Sequence, residues 1–216
     1  MKVQVRKALI LSPHTDDAFI GAGGLVHKLA NQGCELFYHA FTTCDDTLKG
    51  TEFQQGEIAR EDREAAKILG VSNITHHDFT NKKLYKDRQE ILDIIYKYRN
   101  DKELDLVIAP YEGDFHQDHM TVAKEALRAS TRHRVTVIQY PVIGTSKDFN
   151  PNLIVPLTQE DVDAKMKAIS CYKTQFKLRN SWFDTSTFTA ELRTNGVYIN
   201  TEYAEAFVQV KGSWIF

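Results

Sequence analysis

Cysteine is scarce in this chain: three in 216 residues, Cys34, Cys44 and Cys171, an odd number with no Cys-x-x-Cys spacing. That argues against a disulfide framework or a cysteine-based zinc knot and suits a reducing compartment. No block of lysine and arginine occurs, and 27 basic against 29 acidic residues leave a formal net charge of −2. A nucleic-acid backbone or an anionic membrane is therefore not expected as a partner. Long apolar runs are missing too, and Met1 to Lys7 alternates polar and apolar, unlike a signal peptide or a spanning helix. A soluble, cytoplasmic protein without membrane insertion is expected. Internal repeats, low-complexity tracts and linkers are also absent. The length suits one domain over 1–216, large enough for a substantial core.

What is present alternates. Ala8 to Leu11 reads as a buried strand, and the helix after it has Phe19-Ile20, Leu25-Val26 and Leu29-Ala30 on one stripe up to Gly33. Glu35–Thr42 reads as a second strand, Thr43–Gln55 as a loop long enough for function, Gly56–Leu69 as a helix and Val71–Phe79 as a third strand. Arg88–Tyr98 is an amphipathic helix, Leu104–Pro110 a fourth buried strand, Tyr111–Gln117 a polar loop and Asp118–Ser130 a helix. Val135–Tyr140 is a fifth strand, Leu153–Pro156 a candidate sixth, and Gln159–Tyr172 a helix capped by Thr158. The tail from Lys173 gives no clear pattern. Strands alternating with helices predict an α/β fold, a doubly wound, mostly parallel sheet (Rossmann-like, order 3-2-1-4-5) with helices on both faces. In that order the winding reverses between strands 1 and 4, where ligands bind beyond the strand ends.

Two loops would meet there. One is Pro13-His14-Thr15-Asp16-Asp17, at the end of a strand and the start of a helix; the other is Asp114-Phe115-His116-Gln117-Asp118-His119. Acids near a helix N-terminus are favourable, which accounts for one carboxylate in the first loop but not for two beside an imidazole. His14 and Asp17, and again His116 and His119, stand three apart, which places side chains on one side of a helical turn and suits shared ligation of a metal. Three nitrogen and oxygen ligands with an open position are the pattern of a catalytic zinc site. A carboxylate and a histidine left over would serve as general base and as oxyanion stabiliser or acid. The inventory suits metal-assisted hydrolysis of an acyl derivative.

Blander readings compete. An isolated loop histidine is usually a solvated residue and an Asp before a helix usually a cap; His27, His39, His76, His77 and His133 are read as surface or core-edge residues. Gly21-Ala22-Gly23-Gly24, with Asp45 or Asp46 for a ribose, resembles a broken dinucleotide fingerprint. It fails because position 26 is valine and because Asp16 and Asp17 occupy the turn where pyrophosphate would sit. Those glycines are read instead as allowing close helix–sheet packing.

Pro13-His14-Thr15-Asp16-Asp17, Gly21-Ala22-Gly23-Gly24 and His116-Gln117-Asp118-His119 together resemble the signature of the PIG-L/LmbE-like zinc-dependent N-deacetylases. Glu61–Ala65 leading to Leu69-Gly70-Val71, Lys165–Gln175 and Tyr203-Ala204-Glu205-Ala206-Phe207 extend the resemblance over nearly the whole chain. The resemblance implies His14, Asp17 and His119 as metal ligands, Asp16 as general base, His116 as electrophile or general acid, and Asp118 as the residue orienting an imidazole. It implies one Zn²⁺ per chain, with Fe²⁺ open because similar ligands accept both. The substrate class it implies is an N-acetylated or otherwise N-acylated amino sugar or its conjugate. Arg60, with Arg63 nearby, lies where relatives contact substrate. Three positions depart from the pattern: Thr15 replaces proline, Ala18 replaces glutamate, and Cys44, read as a small buried residue, replaces a frequent glycine.

The aromatics Phe176, Trp182, Phe183, Phe188, Tyr198, Tyr203 and Trp214 are read as core or oligomer contact, with a sugar-stacking wall as the alternative. A homo-oligomer is left open. The expected function is metal-dependent removal of an N-acyl group from a small molecule. The alternatives are a non-catalytic metal- or sugar-binding protein of the same fold and a hydrolase of another bond such as a phosphoester, which more often uses two metals.

Overall fold

A computed structural model of the chain describes residues 5–213, so Trp214 and the first four residues of the alternating N-terminus lie outside the described residues. The strands are β1 (Lys7–His14), β2 (Glu35–Thr42), β3 (Asn73–His76), β4 (Leu106–Pro110), β5 (Thr136–Tyr140), β6 (Leu153–Leu157) and β7 (Tyr203–Lys211). The helices are α1 (Asp17–Asn31), α2 (Glu57–Ile68), α3 (Arg88–Lys102), α4 (Gln117–Ser130), α5 (Gln159–Ile169), α6 (Lys173–Leu178) and α7 (Thr185–Val197). One sheet runs β3-β2-β1-β4-β5-β7-β6. Its first five strands are parallel, in the expected order 3-2-1-4-5, and β7 lies antiparallel between β5 and β6.

Alternation along the strands divides the core. Ala8, Ile10 and Tyr38 face α1, α2 and α5; Leu9, Leu11, Phe37 and Val107 face α3 and α4. A sheet buried on both faces explains why these strands read as continuous apolar runs. Helix α1 packs close to the sheet: a Cβ on Gly21 would lie 2.3 Å from the Tyr140 ring, and one on Gly24 would lie 2.5 Å from Leu157. The glycine run is thus a packing device. Helix α5 opens with a capping box in which the Thr158 and Asp161 side chains each accept from the other's backbone N–H.

Several boundaries differ from the sequence reading. Strand β3 is shorter, ending at His76, although His77 and Phe79 still donate backbone N–H groups to Ala40 and Phe41 of β2. The long loop after β2 contains a 3-10 turn, Asp45–Leu48. The helix expected through Tyr172 ends at Ile169, and α6, α7 and β7 occupy the unassigned tail. Two histidines read as surface or core-edge are buried, His39 with its ring 2.8 Å from His77 and His27 bonded to Asp161, while half-buried His76 on the edge strand bonds Asp62. Each has a polar partner that makes burial tolerable.

Candidate active site

Pairing between β1 and β4 stops at Ile10 and Ile108, and the two chains then diverge into loops at the reversal point. His14 ends β1, Asp16 precedes α1, and Asp17 opens it. The turn between them is held from inside. Tyr38 donates its hydroxyl to the Thr15 carbonyl at 2.6 Å, and the Tyr172 hydroxyl lies 3.0 Å from the same oxygen. Tyr172 also donates to Asp62 at 2.5 Å, and His76 closes on the other oxygen of that fully buried carboxylate at 2.6 Å.

From the facing loop, His116 caps α4, its Nδ1 accepting from the Asp118 backbone N–H at 3.2 Å. Asp118 Oδ2 lies 3.2 Å from His14 Nε2, and the carboxylate also accepts the backbone N–H groups of Lys82 and Leu84 at 2.7 and 3.1 Å. Asp114 accepts from the His116 backbone and from the hydroxyls of Thr145 and Ser146. Its Oδ1 is 3.3 Å from His119 Nδ1, but poorly aligned, so that nitrogen has no good hydrogen-bond partner.

Three atoms converge on one point. Asp17 Oδ2 is 2.9 Å from His14 Nδ1 and 3.1 Å from His119 Nε2, and the two nitrogens are 3.3 Å apart. A tetrahedral ion with ligand bonds of ~2.0–2.1 Å needs donors about 3.3 Å apart, so the set fits a small divalent metal. Each imidazole turns its second nitrogen to a carboxylate, Asp118 for His14 and Asp114 for His119, the arrangement that orients metal-binding histidines. A looser group, with one nitrogen each from His14, His116 and His119 within 4.8 Å, could also hold a metal ion.

The charges are strongly coupled. Burial alone would lower the pKa of His14, yet Asp17 and Asp118 outweigh it and hold it at about 9. His119, equally penalised by burial, is raised to about 10 by Asp17 and Asp114. Asp16 is pushed up to about 6 by burial and by the neighbouring Asp17, against the opposing pull of Arg179 and His14. His116 is lowered to about 4 by burial and by the two other imidazoles. An Asp near neutrality beside a neutral imidazole gives a proton acceptor and a hydrogen-bond donor in one crevice.

These residues floor a cavity of about 470 Å³, whose walls include Ile20, Cys44, Val142 and Trp182 and whose mouth carries Lys82 and Arg179. Asp16, Asp17, His14, His116 and His119 all line it; Asp118 sits buried behind His14. Arg60 does not line it. It points outward from α2 with its guanidinium 3.8 Å from Glu57, on the face opposite the buried Ala59 and Asp62, and Arg63 turns back to the Ala59 carbonyl. Cys44 is buried and lines the cavity, with φ +59°. Its left-handed backbone shows why glycine suits the position. Of the tail aromatics, Phe183 and Phe188 are core and Trp182 is cavity wall. Asp114, Tyr38, Asp62 and Tyr172 were not found from sequence. Asp114 had a signal there as the acid opening the second loop, and Asp62 and Tyr172 lay in segments that carry the family resemblance but were given no role.

Residues 9–130, more than half of the chain, match the family model described as PIG-L, GlcNAc-PI de-N-acetylase. The chain belongs to the PIG-L family. Within the PIG-L family, the diacetylchitobiose deacetylase of Thermococcus kodakarensis is 26% identical, over 98% of this chain and 85% of that protein. The structure of the N,N'-diacetylchitobiose deacetylase of Pyrococcus horikoshii with an inhibitor superposes at a TM-score of 0.75, with 25% identity, covering 94% of this chain and 83% of that one. The 4-carboxy-2-hydroxymuconate hydratase of Pseudomonas putida KT2440 gives a TM-score of 0.79 with 18% identity, over 98% of each chain, and shares the fold alone. Among the described residues no helix is long and apolar enough to cross a membrane.

Proposed function

We propose that this PIG-L protein is a zinc-dependent deacetylase that hydrolyses the N-acetyl amide of an amino sugar or a related small-molecule conjugate. The carrying observation is the triangle of His14 Nδ1, Asp17 Oδ2 and His119 Nε2, with sides of 2.9 to 3.3 Å, beside the carboxyl of Asp16. The likeness to diacetylchitobiose deacetylases supports the amide and the sugar. When bound, the ion supplies a Lewis acid and draws the pKa of water towards ~7. Fe²⁺ satisfies the same ligand types. Asp16 accepts a proton from the attacking water. His116 has its Nδ1 engaged with the Asp118 N–H, so its proton sits on Nε2, from which it hydrogen-bonds to the developing oxyanion, while the proton that Asp16 took from water passes to the leaving amine. Asp118 fixes the ring of His14, and Asp114 faces the second nitrogen of His119. The shared fold of a hydratase shows that architecture alone does not choose this chemistry; the residues do.

Elemental analysis of the purified protein, paired with amine release from a panel of N-acetylated sugars, tests the reading. About one metal per chain with release of amine is expected. Asp16→Asn should retain the metal and lose about 10²-fold or more in turnover. Full activity without Asp16 would remove it as base, and a protein that takes up no metal even on reconstitution would refute the site.

A further inference from the structure

The cavity mouth carries two cations that amide hydrolysis leaves unused. Lys82 and Arg179 both line it, from separate segments, and neither has a carboxylate within ion-pair distance among the described residues. Arg193, Arg128, Lys177 and Lys165 all do.

Lys82 is held in place by unusual means. Its φ is +62°, a left-handed backbone that glycine or asparagine adopts far more readily than lysine. That conformation is pinned from α4 at both ends of the residue: Lys82 donates its N–H to Asp118 at 2.7 Å, and its carbonyl accepts from Gln117 Nε2 at 3.2 Å. The carboxylate that orients His14 therefore also fixes the lysine at the mouth. A strained residue anchored to the reactive centre points to use of its side chain. Arg179 follows α6, its backbone tied to Gln175 at 2.8 Å and its guanidinium 5.9 Å from the ring of Trp182, another wall residue.

We propose that the amino sugar accepted here bears an anionic group, a phosphate or a carboxylate, seated between Lys82 and Arg179 while the sugar ring lies against Trp182. Guanidinium and ammonium donors recognise both anions by charge-assisted hydrogen bonds. The proposal rests on the deacetylase reading for the location of the amide, but its test does not need turnover.

Calorimetric binding of three amine products to the metal-loaded protein makes the comparison: glucosamine, glucosamine 6-phosphate and muramic acid. At low salt a charged product should bind at least about tenfold more tightly than glucosamine, with the advantage shrinking as salt is added. Which charged product gains identifies phosphate or carboxylate as the group. The advantage should fall in Arg179→Gln and Lys82→Gln, vanish in the double variant and partly return in Arg179→Lys. Equal binding of all three products, or a preference that survives the double variant because the anion sits on the metal, would overturn the proposal. Acetate release from the corresponding N-acetyl compounds separates the two readings. A charged preference with no release from any of them sinks the deacetylase and leaves the anion site standing. Release with no charged preference does the reverse.

Discussion

The oxygen Asp17 Oδ2 accepts from the His14 backbone N–H and faces both ring nitrogens of the triangle. Without a metal, that crowding is relieved by protons, which is why His14 and His119 titrate at about 9 and 10. The sign follows. Both pKa values are raised above the ordinary ~6.5, so protonation stabilises the metal-free fold fully below that value. The stabilisation is lost as pH climbs through 9 to 10. A metal must displace the same protons. Zinc affinity should therefore rise with pH below about 9, by up to about 100-fold per pH unit when two protons leave, with proton release seen in calorimetry in several buffers. Zinc uptake without proton release would show that the two rings are already neutral in the metal-free protein. At this scale the sequence was informative, because the i, i+3 pairs at two strand-to-helix junctions placed four of the lining residues, with Asp16 beside them. Arg60 failed at the same scale. Helical spacing puts it on α2 but does not say which way the helix turns, and the face with Ala59 and Asp62 is the one that packs inward.

Between residue and fold stands a polar strut. It starts at His76 on β3, passes through Asp62 on α2, and reaches the Thr15 carbonyl through Tyr172 and Tyr38. Burying a carboxylate is costly unless its hydrogen bonds are met, and Asp62 meets them with the His76 imidazole and the Tyr172 hydroxyl. Tyr172→Phe removes one donor and leaves the carboxylate short, at a cost of about 1–3 kcal/mol in denaturant unfolding. Because the strut bears on the turn between His14 and Asp16, turnover should fall beyond what lost stability explains, with metal content unchanged. Unaltered kinetics in the folded variant would show that the turn holds itself. None of this was legible beforehand. The four side chains come from four separate stretches of the chain, Tyr172 from the link between α5 and α6, and each alone reads as ordinary core or helix surface. The N-cap at Thr158 and the glycine packing of α1 were legible, since both depend on neighbours in sequence or on one missing Cβ.

Across the whole molecule, one buried glutamate joins the tail to α5 by an ion pair and to the first helix by backbone hydrogen bonds. Lys165 of α5 meets Glu205 of β7 at 2.7 Å, and the two Glu205 oxygens also accept the N–H groups of Gly24 and Leu25 at 2.8 and 2.7 Å. Glu205→Leu should therefore cost about 3–5 kcal/mol, the range for a broken buried pair. Lys165→Met should cost less, because the carboxylate keeps its two backbone donors. Equal losses in unfolding experiments would mean that those backbone bonds contribute nothing. This glutamate also hid β7 from the sequence reading. A buried acid between Ala204 and Ala206 breaks the apolar alternation of a strand, and α7 shows only Phe188, Leu192 and Gly196 as its buried face. The position of β7 has a consequence for biogenesis. It is synthesised after every other described strand, yet it sits inside the sheet, between β5 and β6. While the nascent chain emerges, β5 must wait with an open edge, even though the residues of the metal triangle have already left the ribosome. The reactive centre can assemble early, but the sheet closes only once β7 has emerged, so the interval is a window for aggregation or chaperone capture.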